Sequence, residues 1–317
     1  MKLRFIVPFP DTDYYLSQIL IQNNNFEKFG YDVETHFVAG ICYGKINPHL
    51  QRIVDSGLLK STWHIYFDER TGEERRYSAS LKDHLMYRYF KEFPEEKDNY
   101  YFLADPDMIF LEPFDFTPYM DGKTWWGSDT SSYMNLAYFR QKGEGFFEEM
   151  CDHVGISPEL VIANDKNIIG ANYLTVNNTA EFWERIYKKA AETYNWLGTI
   201  QPKYFKPEMG FWFQSFCTEM FLIIWELWKD GVETKHDENW NFHWTNSWVK
   251  DKKHKIFHLA GEASQDQSKT VHYAKRAYEH RSPFNKDYSM IHPDSLTNLY
   301  INEIVETARK YPSLVWD

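Results

Sequence analysis

The chain has 317 residues, 43% of them hydrophobic and 18% aromatic, so it can bury a sizeable core and carries no signature of disorder. Its 35 basic and 46 acidic side chains leave a net charge of −11, which argues against a surface built for duplex nucleic acid but not against a local basic patch. Cys42, Cys151 and Cys217 are far apart with no C-x-x-C spacing, which speaks against a disulfide framework or a zinc knuckle and for small buried side chains.

Residues 3–9, LRFIVPF, read as a buried first strand, too short for a signal segment. No run approaches the ~20 apolar residues of a membrane span, so a cytoplasmic, soluble protein is expected. Asp11, Thr12 or Asp13 can cap a helix with an apolar stripe of Leu16, Ile19, Leu20 and Phe26, closed by Gly30. Residues 31–40 alternate as a strand through Val33, Thr35 and Phe37. A short helix at 47–57, a strand at 63–67, an amphipathic helix at 80–93 and a strand at 100–104, ending at Asp105, follow. This alternation predicts the α/β class, with a mostly parallel central sheet flanked by helices.

The second half is mixed. Strands are expected at 134–140 (MNLAYFR) and 168–176, and helices at 179–195 and 212–229. A polar, Trp-rich stretch at 237–248 precedes a short strand at 255–261, a basic segment at 269–284 and a terminal helix near 295–309. With no repeat and no low-complexity linker, one domain over 1–317 is expected.

The sequence YYFLADPDMIFLEPF sets Asp105-Pro106-Asp107 inside an apolar run. Residues i and i+2 of an extended segment point the same way, and Pro106 ends regular pairing. The motif falls at the carboxyl end of a strand, the edge where open α/β sheets bind ligands. Two adjacent carboxylates repel, and a divalent cation removes that cost; oxygen ligands suit Mg²⁺ or Mn²⁺. The plain alternative is a turn, which Asp-Pro often starts.

At this point the chain resembles a known family. An acidic pair ending a strand in an N-terminal β/α half is the mark of metal-dependent GT-A glycosyltransferases. More narrowly, LADPDMIFLEPF, IIGANYLTVNNTAEFWERI, FCTEMFLIIWELWKDGVETKH and KIFHLAG resemble, in the same order over residues 100–261, motifs of the hydroxyproline O-arabinosyltransferases and their peptidyl-serine galactosyltransferase relatives. The resemblance implies a GT-A (Rossmann-like) fold and transfer of a hexose or pentose, arabinose among them, from a UDP-sugar or other nucleotide-sugar donor to a hydroxyl. It implies that Asp105 and Asp107 hold Mn²⁺ or Mg²⁺ on the donor diphosphate and that His258 completes the metal shell. It places Lys82 and Asp83, which open the helix before the acidic strand, on the donor, together with Val7, Pro8, Pro106 and Gly261. Residues 1–125 would then serve the donor, 126–285 the acceptor, and 286–317 form a C-terminal helical segment.

Each residue also has a plainer role. His258 is otherwise a core histidine bonded to backbone. Lys269, Lys275, Arg276 and Arg281 can neutralise a leaving diphosphate, or form a solvated face. Glu219, read as mid-helix in apolar surroundings, is either paired or functional, as catalytic base or sugar holder, with Asp237 the second candidate base. Gly170, Ala171 and Asn172 can let a sugar approach a strand backbone, or mark a bulge. Trp240, Trp244 and Trp248 recur every four residues and can stack on acceptor sugars or unstacked bases, or simply pack. The acceptor is a hydroxyl of open class, with hydroxylated bases in viral DNA among the candidates. A metal-dependent hydrolase or nucleotidyltransferase, and a non-catalytic module that binds sugar nucleotides, are the competing classes.

Overall fold

The computed structural model of the chain describes residues 1–204, 213–261 and 264–317. The chain divides into two compact units. One comprises Met1–Arg4, Asp68–Leu103 and Phe116–Asp237; the other comprises Phe5–Phe67, Ala104–Asp115 and Glu238–Asp317.

The second unit contains nearly all of β1 (Leu3–Pro10), with β2 (Thr35–Ile41) and β3 (Thr62–Phe67), which pair in parallel in the order β3-β2-β1. β2 is buried along its whole length, as parallel strands covered on both faces are. The connections are helical: α1 (Asp13–Lys28) and α2 (Pro48–Ser56). Asn47 caps α2, with Pro48 at its first position. Thr12 takes the N-cap position of α1 but makes no side-chain cap bond, while Asp11 accepts the N–H groups of Cys42 and Asn47, both at 3.1 Å. A small second sheet has the order β5-β10-β9, from β5 (Met108–Phe110), β9 (Phe242–His243) and β10 (Ile256–His258). The terminal helix, α10 (Thr297–Lys310), is fixed to α1 through Glu303, which accepts from Asn24 and Asn25 and pairs with Lys28 at 2.7 Å.

In the first unit β4 (Tyr100–Leu103), β6 (Trp125–Asp129), β7 (Ile169–Thr175) and β8 (Thr234–Lys235) lie in the order β4-β7-β6-β8. β7 runs antiparallel to β4 and β6, whereas β8 is parallel to β6. Among the described residues, three of these five strand pairings are thus parallel, and the expected α/β class with a mostly parallel central sheet is observed. Helices of this unit are α3 (Ser80–Glu92), α4 (Ser131–Met134), α5 (Leu136–Arg140), α6 (Phe146–Val154), α7 (Pro158–Ala163), α8 (Ala180–Tyr204) and α9 (Thr218–Lys229).

Residues 134–140 are therefore the end of α4, a cap at Asn135 and the whole of α5, not the expected strand. Asn135 accepts the N–H of Tyr138 at 2.8 Å and caps α5, and that local bond decides a run whose aromatics favour either state. The pairing there is supplied instead by β6, which the sequence reading did not assign. The helix expected at 212–229 starts at Thr218, and residue 212 lies outside the described residues. The helix expected at 179–195 continues to Tyr204.

The β6–β7 register shifts between Gly127 and Ser128, and Ala171 adopts a left-handed φ of 63°. The bulge alternative for residues 170–172 is thus what the backbone adopts. Beside it, a Cβ on Gly170 would stand 2.5 Å from Met220 Cε and 2.7 Å from Thr130 Oγ1. Gly170→Ala is expected to destabilise the protein by about 1–3 kcal/mol in urea titration, because overpacking forces neighbours off their rotamers. An unchanged midpoint would show that Met220 and Thr130 yield freely.

Candidate functional site

In the second unit the acidic motif forms a tight turn. The N–H of Met108 donates to the carbonyl of Asp105 at 3.2 Å, with Pro106 at the first central position, which its fixed φ suits. The segment is therefore a turn and not an extended i/i+2 pair; the two side chains nevertheless converge. α1 holds the turn from behind: Gln22 Nε2 donates to the carbonyls of Asp105 (2.8 Å) and Met108 (3.0 Å). Asn25 then pairs with both main-chain groups of Phe110, at 2.8 and 2.9 Å. The acidic motif alone does not point to these amides. The signal was present: Gln22-Asn23-Asn24-Asn25 is a polar run inside a helix, and all four are buried, so each needs hydrogen-bond partners.

β10 pairs antiparallel with β5, opposing His258 to Met108, one residue beyond Asp107. Its Nε2 lies 3.1 Å from Asp107 Oδ1 and 3.6 Å from Asp105 Oδ2. One ligand atom from each of Asp105, Asp107 and His258 falls within 4.8 Å of the others. Asp107 is 3% exposed and His258 6%. Two carboxylates and one imidazole form a donor set that could hold a hard divalent cation. Lys275 also ion-pairs with Asp107, at Oδ2. Burial by itself would raise the Asp107 carboxyl, but the charges of Lys275 and His258 outweigh it and hold the group well below the usual carboxylate range.

Tyr14 and Tyr15, in the first turn of α1, are a second addition. Burial, reinforced by the charge of Asp107, pushes the Tyr14 hydroxyl up; burial, Tyr14 and Asp107 push that of Tyr15 to about 12. Tyr300, fully buried, is raised by burial and then by Asp107. These phenols stay protonated and able to donate.

The remaining assignments in this unit separate. Of the basic segment, Lys269 is exposed beside Asp266 (3.8 Å) and Arg276 is exposed. Val7 and Pro8 are buried mid-strand, paired with Phe37 and Val38. Gly261 has φ +91°, and a Cβ there would meet Trp244 at 3.2 Å. Trp244 rests on Phe242 (4.8 Å), whose ring meets His258 edge-on at 5.0 Å. Trp248 is half-buried against His272 and His292. Trp240 is a correction: it is fully buried, 5.0 Å from Phe114, and offers no face to an acceptor. Its place in the tryptophan series reflects core packing.

In the first unit Glu219 stands in the first turn of α9, not mid-helix, and is 5% exposed. It is paired. The Tyr77 hydroxyl bonds its Oε2, its own N–H donates to that hydroxyl at 3.1 Å, and Lys82 Nζ lies 3.5 Å from Oε1. Burial, then the Glu219 charge, raises the Tyr77 hydroxyl well above its ordinary value. Lys82 thus joins Glu219, while Asp83 beside it is fully buried. Asp237 accepts from the Tyr119 hydroxyl at 2.9 Å. Asn172 is buried and accepts from the Ser128 hydroxyl, and Ala171 forms the bulge.

Neither a protein-family model nor a curated protein matches the chain. Solved structures do. One is the galactosyltransferase LgtC, crystallised in complex with donor and acceptor sugar analogs: 12% identity, 98% of this chain and 100% of that one covered, TM-score 0.49. Another is the bifunctional glycosyltransferase WbbM in its apo form: 10% identity, 83% of this chain and 46% of that one, TM-score 0.45. No described helix is long and apolar enough to cross a membrane.

Proposed function

We propose that the chain is a metal-dependent GT-A glycosyltransferase that moves a hexose or pentose from a nucleotide-sugar donor, a UDP-sugar, to a hydroxyl acceptor. The observation that carries this is the convergence of Asp105, Asp107 and His258 within 4.8 Å. Asp105, Asp107 and His258 would hold Mn²⁺ or Mg²⁺, which when bound neutralises charge on a departing diphosphate. Lys275 supplies a cation for the phosphate oxygens. Tyr14 and Tyr15, kept neutral, donate hydrogen bonds there. Glu219, oriented by Tyr77 and Lys82, is the first candidate for a sugar hydroxyl, and Asp237 the second. Trp244 and Trp248 offer half-exposed rings to the acceptor. The exposed Lys269 and Arg276 favour an acceptor with negative charge, and a hydroxylated base in DNA is the second reading.

Two measurements test this. UDP-sugar with Mn²⁺ at ~100 times its Kd is expected to add about 2.7 kcal/mol of stability, seen as a thermal shift that neither gives alone. Labelled sugar is expected to leave the donor in a Mn²⁺-dependent reaction. Transfer of the nucleotide would assign a nucleotidyltransferase, and binding without turnover a sugar-nucleotide module. For the DNA acceptor, binding must fall steeply with salt.

A further inference from the structure

Lys275 begins a short 3-10 turn, Lys275–Tyr278, and its side chain is 22% exposed. Its ammonium sits on Oδ2 of Asp107, while Oδ1 of the same carboxylate faces His258 Nε2 at 3.1 Å. Both oxygens of the most buried ligand in the cluster are thus engaged, one of them by a full positive charge. The turn backbone is anchored: Tyr273 and Tyr278 are buried and stack at 5.2 Å. The lysine stem beyond it is long, unbranched and free to rotate its three donors.

We propose that Lys275 and the divalent cation compete for Asp107, so that cation binding moves the ammonium off the carboxylate and turns it toward the donor diphosphate. This rests on the metal centre assigned above. The physical reason is that two like charges on one carboxylate group repel strongly where burial limits screening. Two carboxylates balance one dication, which leaves the lysine charge without a counter-ion inside the cluster. The phosphates of a nucleotide are the counter-ion that then suits it. Cation and nucleotide binding are thereby coupled through one side chain, and the cation is favoured to bind first.

The experiment is Mn²⁺ titration of the full chain without donor, following the free-ion signal by electron paramagnetic resonance, with folding checked by circular dichroism. Lys275→Met is expected to bind Mn²⁺ at least tenfold more tightly than the wild type, and Lys275→Arg to show no such gain. At saturating Mn²⁺, Lys275→Met is expected to bind UDP at least tenfold more weakly. Lys275→Gln gives the same reading if the methionine variant does not fold. Wild-type Mn²⁺ binding with no gain in Lys275→Met and Lys275→Gln overturns the competition and leaves the transferase reading standing. No Mn²⁺ binding by the wild type overturns both.

Discussion

Asp107→Asn is expected to abolish Mn²⁺-stimulated hydrolysis of a UDP-sugar while the protein stays folded. Asparagine keeps the shape of the side chain and one acceptor oxygen but removes the charge. Asp107 is 3% exposed and is the carboxylate on which both His258 and Lys275 converge. Losing a group that merely supports a metal ligand costs ~10–100-fold, so losing a ligand itself is expected to cost at least that in turnover. The fold tolerates the change because the turn is held through main-chain carbonyls by Gln22, and because Lys275 is partly solvated and can rehydrate. Mn²⁺ binding and turnover measured together decide the matter; undiminished turnover in a folded variant defeats the metal assignment.

The largest expected effect on stability is at Asp68. Arg70 pairs with it through Nε–Oδ1 (3.0 Å) and a second bond from Nη2 to Oδ2 (3.1 Å), and both side chains are under 5% exposed. The same guanidinium donates to the Tyr77 carbonyl and the Ser80 hydroxyl, tying down the segment that leads into α3. Asp68→Asn leaves that guanidinium buried with its charge uncompensated, which is expected to cost about 3–5 kcal/mol in urea unfolding. Replacing both partners by apolar residues is expected to recover part of the loss. Burial alone would raise the Asp68 carboxyl, but the bonds and charge of Arg70 hold it below its ordinary value. Its folded pKa is depressed, so its contribution is complete above the ~3.9 of an unfolded aspartate and is lost as pH falls through the folded value. The wild type is therefore expected to lose more stability than Asp68→Asn between pH 5 and pH 3. Parallel pH curves for the two proteins would remove Asp68 from the acid transition.

What the amino-acid order determined by itself is local or compositional. β1, β2 and β4 are legible because buried strands read as short apolar runs and caps and glycines punctuate the helices between them. The acidic turn is legible because two carboxylates in an apolar run demand a partner, and His258 because it ends a short strand just before Gly261. What the tertiary structure decided depends on distant residues. Residues 134–140 carry side chains that suit strand or helix, and the Asn135 cap with β6 pairing elsewhere settles the choice. Trp240 shares the spacing of Trp244 and Trp248, yet only packing against Phe114 places it in the core. Tyr77 meets Glu219 across 142 positions of chain, and Lys275 meets Asp107 across 168. No periodicity reaches that far, so which cation a buried carboxylate finds is settled only when the chain packs.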